Sequence, residues 1–437
     1  MTQYGSIPGV RITTESGTIS GVTIGREQYH ILVGAGSVDG SGSAAVNDPI
    51  NIAGTDDAEA KFGADSDLAN GYDRATNNGA SPDLVVGIKA ETTTHTETLT
   101  EFTNPLANIP LLANVDRISA EDGSQNSVSV NLSYAETPDA PAEDSYEVVV
   151  NPHNGVIKAD PNLTEVTIDY ETADWASALG EIKPYLLEGD FAVVTPLTSA
   201  DSVATALDGN LTEMRNDYKM GLGVMAASYN DTRDGEAYID TGSYESSISS
   251  DKVWRVGPVA LKNGDSWDRD VGALSAIGGL MAGTPTTDPI YDDTVTVNSL
   301  SQRVTSAGVT DLREQHIVPV RDTGIVRIED NQSTYDQDSE GGWQRDYFTK
   351  RIVDLTTVTM FQLARRQIGG VLTGAVVGDV QDVVDQELAS LVDDGLLQPN
   401  GQAASAFRED TNTIGLDLSI TPFGVTKGAD VKIAVNA

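Results

Sequence analysis

The 437-residue chain carries 66 Asp and Glu against 27 Lys and Arg, a formal net charge of −39. Such a field repels phosphates and anionic lipid surfaces, which argues against a nucleic-acid-binding or membrane-docking surface. Cysteine is absent, so disulfides, zinc-thiolate sites and thiol nucleophiles are excluded, while 39% hydrophobic residues suffice for one large domain or two to three ordinary ones.

The first twenty-five residues are rich in Gly, Thr and Ser, with short alternations at Val10/Ile12 and Ile19/Val22/Ile24. So short a period-two segment builds no core of its own and needs a partner sheet. Tyr29 to Val33 reads as a buried strand. Short helices follow between Asp57 and Ala75, and Leu84 to Ala90 is a second apolar strand, giving a β-α-β start. From about Thr92 to Tyr170 the helical period disappears. Ser127 to Tyr134, Tyr146 to Ile157 and Glu165 to Tyr170 alternate strictly, and His153-Asn154-Gly155 predicts a type I′ hairpin turn. This stretch is a β module.

The α/β period returns from Trp175. Asp190 to Leu197 is a strand, followed by a helix with Val203, Leu207, Leu211, Met214 and Tyr218 on one face. Strands GLGVMAAS and Lys252 to Leu261 come next, then DVGALSAIGGLMAG, a small-residue helix suited to close packing. A hairpin is predicted around Asp322-Thr323-Gly324, then a long helix from about Gln344 to Ile368. A second helix aligns Val380, Val383, Val384, Leu388, Leu391 and Val392 and ends at Gly395. The tail holds two alternating strands, Leu416/Leu418/Ile420 and Val431/Ile433/Val435.

Candidate chemistry dissolves on inspection. Gly34-Ala35-Gly36 imitates a dinucleotide fingerprint, but Asp39 occupies the third glycine position and a loop follows instead of a helix. Asp336-x-Asp338-x-Glu340-Gly341 opens like a calcium loop but carries Tyr347 where the bidentate Glu belongs, and Asp268-x-Asp270-x-Gly272 fits less well. His30, His95, His153 and His316 are too dispersed for a metal site, and His316 reads as a core or rim residue. Arg365-Arg366 suit the C-terminal dipole of their helix. G-x-S-x-G is absent, and Asp/Glu pairs are too common to mark a catalytic dyad. No catalytic, cofactor or metal residue is expected, and the chain is not read as an enzyme.

The ten lysines, against seventeen arginines, and the dispersed carboxylates favour a protein kept soluble in strong salt over an acidic protein at ordinary ionic strength. The start MTQYGSIPGVRITTESGTISG has no basic region leading into an apolar run, so folding in a cytoplasm without secretion is expected.

Both ends thus read as β-strands without a local partner. Either they pair with each other or with their own sheet, or they add to sheets of neighbouring copies by β-augmentation. Here the chain resembles the contractile tail sheath proteins of tailed viruses and related injection systems. Ile7-Pro8-Gly9-Val10-Arg11-Ile12 looks like that family's N-terminal arm, and YHILVGAG with AKFG at Ala60 to Gly63 like its first core strand and following motif. YEVVVNPHNGVIKAD with EVTIDYETADWASAL is similar to its inserted β domain. GDFAVVTPLTSADSV, GPVAL, AIGGLMAGTP and the stretch from Gly324 through the long helix follow in the family's order. Asn331-Gln332-Ser333-Thr334 departs from the family pattern, as does the acidity, which would fit a haloarchaeal host.

The resemblance implies an α/β core with an inserted all-β domain and extended terminal strand arms. Its parts would be an N-terminal arm (1–25), a first core segment (26–91), the β insert (92–170), the main core (171–412) and a C-terminal arm (413–437). It further implies a subunit of stacked, sixfold rings around a tail tube, contracting from a metastable state to drive the tube through an envelope. Partners would be other copies, the tube, baseplate and tail terminator proteins, without nucleic acid, membrane or cofactor. The protein would be assembled in the host cytoplasm and reside in the virion tail. The long helix would lie toward the tube and the β module outward. Arm strands would use Val10, Ile12, Leu416, Leu418, Ile420, Val431, Ile433 and Val435. Two other readings stay open: a halophile adhesin-like surface protein with a β recognition module, and an enzyme using the Gly34 loop with a nucleotide.

Overall fold

The computed structural model describes residues 2–4, 10–14, 28–134, 137–188, 190–229, 237–238, 244–246, 248–262, 271–285, 288–330, 332–335, 346–365, 374–393, 395–408 and 414–422. The chain divides into two compact units, one of residues 26–283 with 292–336 and one of residues 1–25 with 284–291 and 337–437.

The first unit is built on a mixed eight-stranded sheet in the order Val326–Ile328, Ile317–Asp322, Val253–Gly257, Met220–Ala226, Phe191–Pro196, Gln28–Gly34, Val85–Lys89 and Ile50–Asn51. The six inner strands are parallel, and an antiparallel strand closes each edge. Parallel strands are covered on both faces, so their sequences run continuously apolar instead of alternating. Every residue of Met220–Ala226 and of Val253–Gly257 is buried.

Helices cover both faces of this sheet. On one side Ile31, Val33, Ala192 and Val194 pack with Trp175, Leu179, Val203, Leu207, Leu211 and Met214, the last four from helix Asp201–Asn216. Glycines make this contact close: a Cβ on Gly223 would sit 2.4 Å from Leu207 Cδ2. The opposite face meets helices Asp67–Thr76 and Leu274–Gly283. The small-residue helix divides its glycines between two neighbours. A Cβ on Gly278 would lie 2.3 Å from Thr195 Oγ1 on the sheet, whereas on Gly279 it would lie 2.4 Å from the Ala75 carbonyl and on Gly283 2.1 Å from that of Gly79. Backbone therefore touches backbone, as the sequence leads one to expect.

Residues 92–173 form a six-stranded sheet with its own core of Leu111, Ile118, Val128, Val148, Ile157, Val166, Ile168 and Tyr170. Its order is Ile157–Ala159, Glu147–Val150, Ser127–Leu132, Ile118–Asp122, Val166–Ala173 and Thr92–Leu99. The predicted turn at His153 differs in kind. Ile157 pairs with Val150, leaving a six-residue loop in which Gly155 (φ +71°) is left-handed and Asn154 is not among the positive-φ residues. A type I′ turn needs two such residues. The loop is held instead by Asn151, whose Oδ1 accepts from the His153 and Asn154 amides at 2.8 and 3.2 Å. The hairpin at Asp322 forms as read, with Gly324 at φ +100°.

In the second unit, helix Tyr347–Arg365 is buried at every residue from Tyr347 to Met360, charged residues included. Lys350 Nζ lies 3.5 Å from Asp354 Oδ1 one turn on. Arg351 donates from Nη2 to the Thr284 carbonyl at 2.8 Å and stacks 5.0 Å over the Tyr347 ring. Burial pushes the Tyr347 phenol up to about 12. Helix Gly374–Asp393 buries Val380, Val384, Leu388 and Leu391, with Val383 and Val392 half-buried, and is followed by left-handed Gly395 (φ +60°).

Candidate assembly interface

The second unit also contains a four-stranded sheet in the order Thr2–Tyr4, Val10–Thr14, Ile414–Ser419, Ala403–Arg408. Val10 to Thr14 run parallel to Ile414 to Leu418, with Val10 opposite Ile414 and Ile12 opposite Leu416. Read alone, the sequence offers these strands no local partner; the protomer pairs them with one another. A parallel pair has no tight turn joining its strands, so about 400 residues of intervening chain hide the pairing from any local pattern. Leu416, Leu418 and Ile420 are buried. Val431, Ile433 and Val435 lie outside the described residues, as do the carboxylates of both candidate calcium loops and Arg366.

Strand Ala403–Arg408 is not legible in the sequence. Its Ala-Ala-Ser-Ala core carries little strand propensity, and it forms by pairing antiparallel to Ile414–Ser419 from Ala403 opposite Ser419 to Arg408 opposite Ile414. Phe407 lies across its partner Gly415, where a Cβ would approach the ring to 2.3 Å. An aromatic laid over a strand glycine covers backbone that would otherwise be exposed. The base of this hairpin is tied by the Gln398 amide donating to Thr421 O at 2.8 Å and Thr421 Oγ1 donating to Gly401 O at 3.1 Å.

Helix Gly374–Asp393 packs against strand Ala403–Arg408. From it, Gln381 Nε2 donates to the Ala404 carbonyl at 3.1 Å and to Asp385 Oδ1 at 2.9 Å, while Oε1 accepts from the Ala406 amide at 2.7 Å. One side-chain amide thus occupies two backbone groups of the strand. No sequence motif announces this contact.

The remaining singled-out residues do not converge. His30 Nε2 lies 3.0 Å from Thr195 Oγ1, His95 Nε2 2.9 Å from Thr172 Oγ1 and His153 Nε2 2.8 Å from Ser199 Oγ, three separate hydroxyl contacts. His316 is half-buried at φ +59° beside the start of its strand. His30 is fully enclosed, and desolvation holds its imidazole down to about 3. At the Gly34 loop, built-on Cβ atoms would meet Leu197 and Leu68 at Gly34 and Lys89 at Gly36, and the Gly36 carbonyl accepts from Arg117 Nη2. Asp39 Oδ1 accepts from Ser37 Oγ at 2.6 Å and the Ser41 amide at 2.8 Å. Among the described residues, no group of three or more His, Asp or Glu is placed to hold a metal, and no helix is long and apolar enough to cross a membrane.

No protein-family model matches the sequence, and no curated protein does. Solved structures do match by fold. The sheath tail protein Lin1278 of Listeria innocua superposes with a TM-score of 0.52 at 11% identity, covering 92% of this chain and 96% of that one. The helical sheath of the anti-feeding prophage in its contracted state gives 0.56 at 12% identity over 99% of this chain and 100% of that one. The contracted sheath of the PVC extracellular contractile injection system gives 0.55 at 10% identity over 100% and 99%. By these likenesses the chain has the fold of a contractile tail sheath protein.

Proposed function

We propose that the protein is the structural subunit of a contractile tail sheath, in a tailed virus or a related injection system. The observation that carries this reading is the end-to-end correspondence with the two contracted sheaths, which leaves almost no part of either chain unmatched. Subunits would stack in sixfold rings around a tail tube, bounded by baseplate and terminator proteins, and would contract without catalysing any reaction. The driving free energy would be the difference between two packings of the same bodies, made cooperative by subunit contacts.

The terminal strands are the proposed links. Val10–Thr14 adds in parallel to Ile414–Ser419, and the same ladder formed between copies would be a strand exchange, a low-cost route to oligomers. The thirteen residues 15–27 between strand and body span at most about 45 Å when extended, enough to reach an adjacent copy. Val431, Ile433 and Val435 would complete a second such strand. In this reading residues 1–25 and 413–437 are arms, 26–91 and 171–412 the core, and 92–170 an outward-facing β insert, with helix Tyr347–Arg365 toward the tube. Strong salt would screen the −39 charge of each copy so that bodies touch.

Removal of residues 1–20 or 421–437 tests the reading by negative-stain microscopy in concentrated salt. The full chain should build tubes and each truncated chain should stay a folded protomer. Long tubes from either truncated chain would overturn the role given to the arms.

A further inference from the structure

Edge strands invite pairing with other chains, and proteins blunt them with lysine, proline, bulges or a covering element. Between Ala403 and Phe407 this edge has no lysine or proline, and its register with Ile414–Ser419 runs without a bulge. From Ala403 to Ala406 its side chains are small, and Ala403, Ser405 and Phe407 are exposed. Helix Gly374–Asp393 packs against this strand, and its Gln381 is the side chain that bonds the backbone groups of Ala404 and Ala406.

The geometry of that cover is specific. In a parallel ladder, one residue of an incoming strand donates its N–H to the carbonyl of residue i−1 and accepts from the N–H of residue i+1. Gln381 does both with one carboxamide: Nε2 donates to the carbonyl of Ala404 and Oε1 accepts from the amide of Ala406. The second Nε2 proton goes to Asp385 Oδ1. A flipped amide would set Oε1 against both the Asp385 carboxylate and the Ala404 carbonyl, so Asp385 fixes which end faces which group.

We propose that Gln381 is an edge plug: it stands in for one residue of a parallel strand and thereby confines strand addition in this sheet to the Ile414–Ser419 side. The occupant it excludes is the Val10–Thr14 strand of a second copy, the strand that forms a parallel ladder with Ile414–Ser419 on the other side of this sheet. The choice of a second copy as occupant rests on the sheath reading. The plug makes linkage one-sided, so that arm strands join this sheet only on the Ile414–Ser419 side and sheath growth does not branch at the Ala403–Arg408 edge.

The test uses the full chain and a fluorescein-labelled peptide of residues 8–16, titrated by anisotropy into dispersed protomers, with hydrogen exchange of the Ala403–Arg408 amides read in parallel. In Gln381→Ala, exchange at Ala406 should rise about tenfold or more, since its acceptor is gone. That variant should bind the peptide about tenfold more tightly than the natural chain, and bound peptide should restore protection at 403–408. Asp385→Ala should act in the same direction more weakly, and it decides the matter by itself if Gln381→Ala does not fold. Equal peptide affinity in the variants and the natural chain, or bound peptide that leaves 403–408 unprotected, overturns the proposal. The titration needs no tubes: a natural chain that never forms cylinders while the peptide results hold would sink the sheath reading and leave the plug standing.

Discussion

His30 lies in the centre of the main sheet with its imidazole held neutral, and acid should expose that constraint. Desolvation takes its pKa from 6.5 to about 3 in the folded chain. Between those values the unfolded chain binds a proton that the folded chain refuses, so stability falls as pH drops through 6.5 and the loss levels off near 3. From the two pKa values the cost is about 2 kcal/mol at pH 5 and about 3 kcal/mol at pH 4. Carboxylate protonation acts at the same time, so the natural chain alone does not isolate the effect. His30→Gln does, because it keeps a polar group near Thr195 Oγ1 and removes the titration. Denaturant midpoints at pH 7, 5 and 4 in concentrated salt, followed by the fluorescence of Trp254, buried in the same sheet, give the difference directly. The natural chain should lose about 2 kcal/mol more than His30→Gln between pH 7 and pH 5. Parallel losses in the two chains would refute the buried neutral imidazole.

Three further outcomes follow from the packing. Gly283→Ala forces a methyl to 2.1 Å from the Gly79 carbonyl and should cost about 1–3 kcal/mol by overpacking, seen as a lower melting temperature. Asp354→Ala removes the carboxylate 3.5 Å from the enclosed Lys350 ammonium and should cost about 3–5 kcal/mol in denaturant unfolding, while Lys350→Met with Asp354→Leu should cost far less. Tube formation by the natural chain, followed by light scattering, should set in only as salt shortens the screening length from about 10 Å at 0.1 M toward about 3 Å at 1 M; onset independent of salt would remove charge repulsion from the account.

What the sequence reveals depends on how local the cause is. The runs at Tyr29 to Val33, Phe191 to Pro196 and Met220 to Ala226 are visible because strands covered on both faces are apolar throughout. The glycines of Leu274–Gly283 announce close packing, since nothing else in a helix wants three of them. Thr92–Leu99 stays hidden: it is a half-exposed edge whose Thr, His and Glu residues show no apolar alternation, and it is a strand because Val166–Ala173 pairs with it. Ala403–Arg408 is hidden for the same reason. The pairing of Val10–Thr14 with Ile414–Ser419 and the bonds of Gln381 are contacts across space that leave no periodic trace. The candidate interface is therefore half legible: its apolar strand residues can be read, its connections cannot.

Helix Leu274–Gly283 meets its neighbours through main chain, with no side-chain cushion between Gly279 and Ala75 or between Gly283 and Gly79. Cushions of leucine or methionine yield by switching rotamer; two abutting backbones have no such slack. The sandwich of helix, helix and sheet is thus a stiff link in the mechanical sense, one that passes on a push without absorbing it.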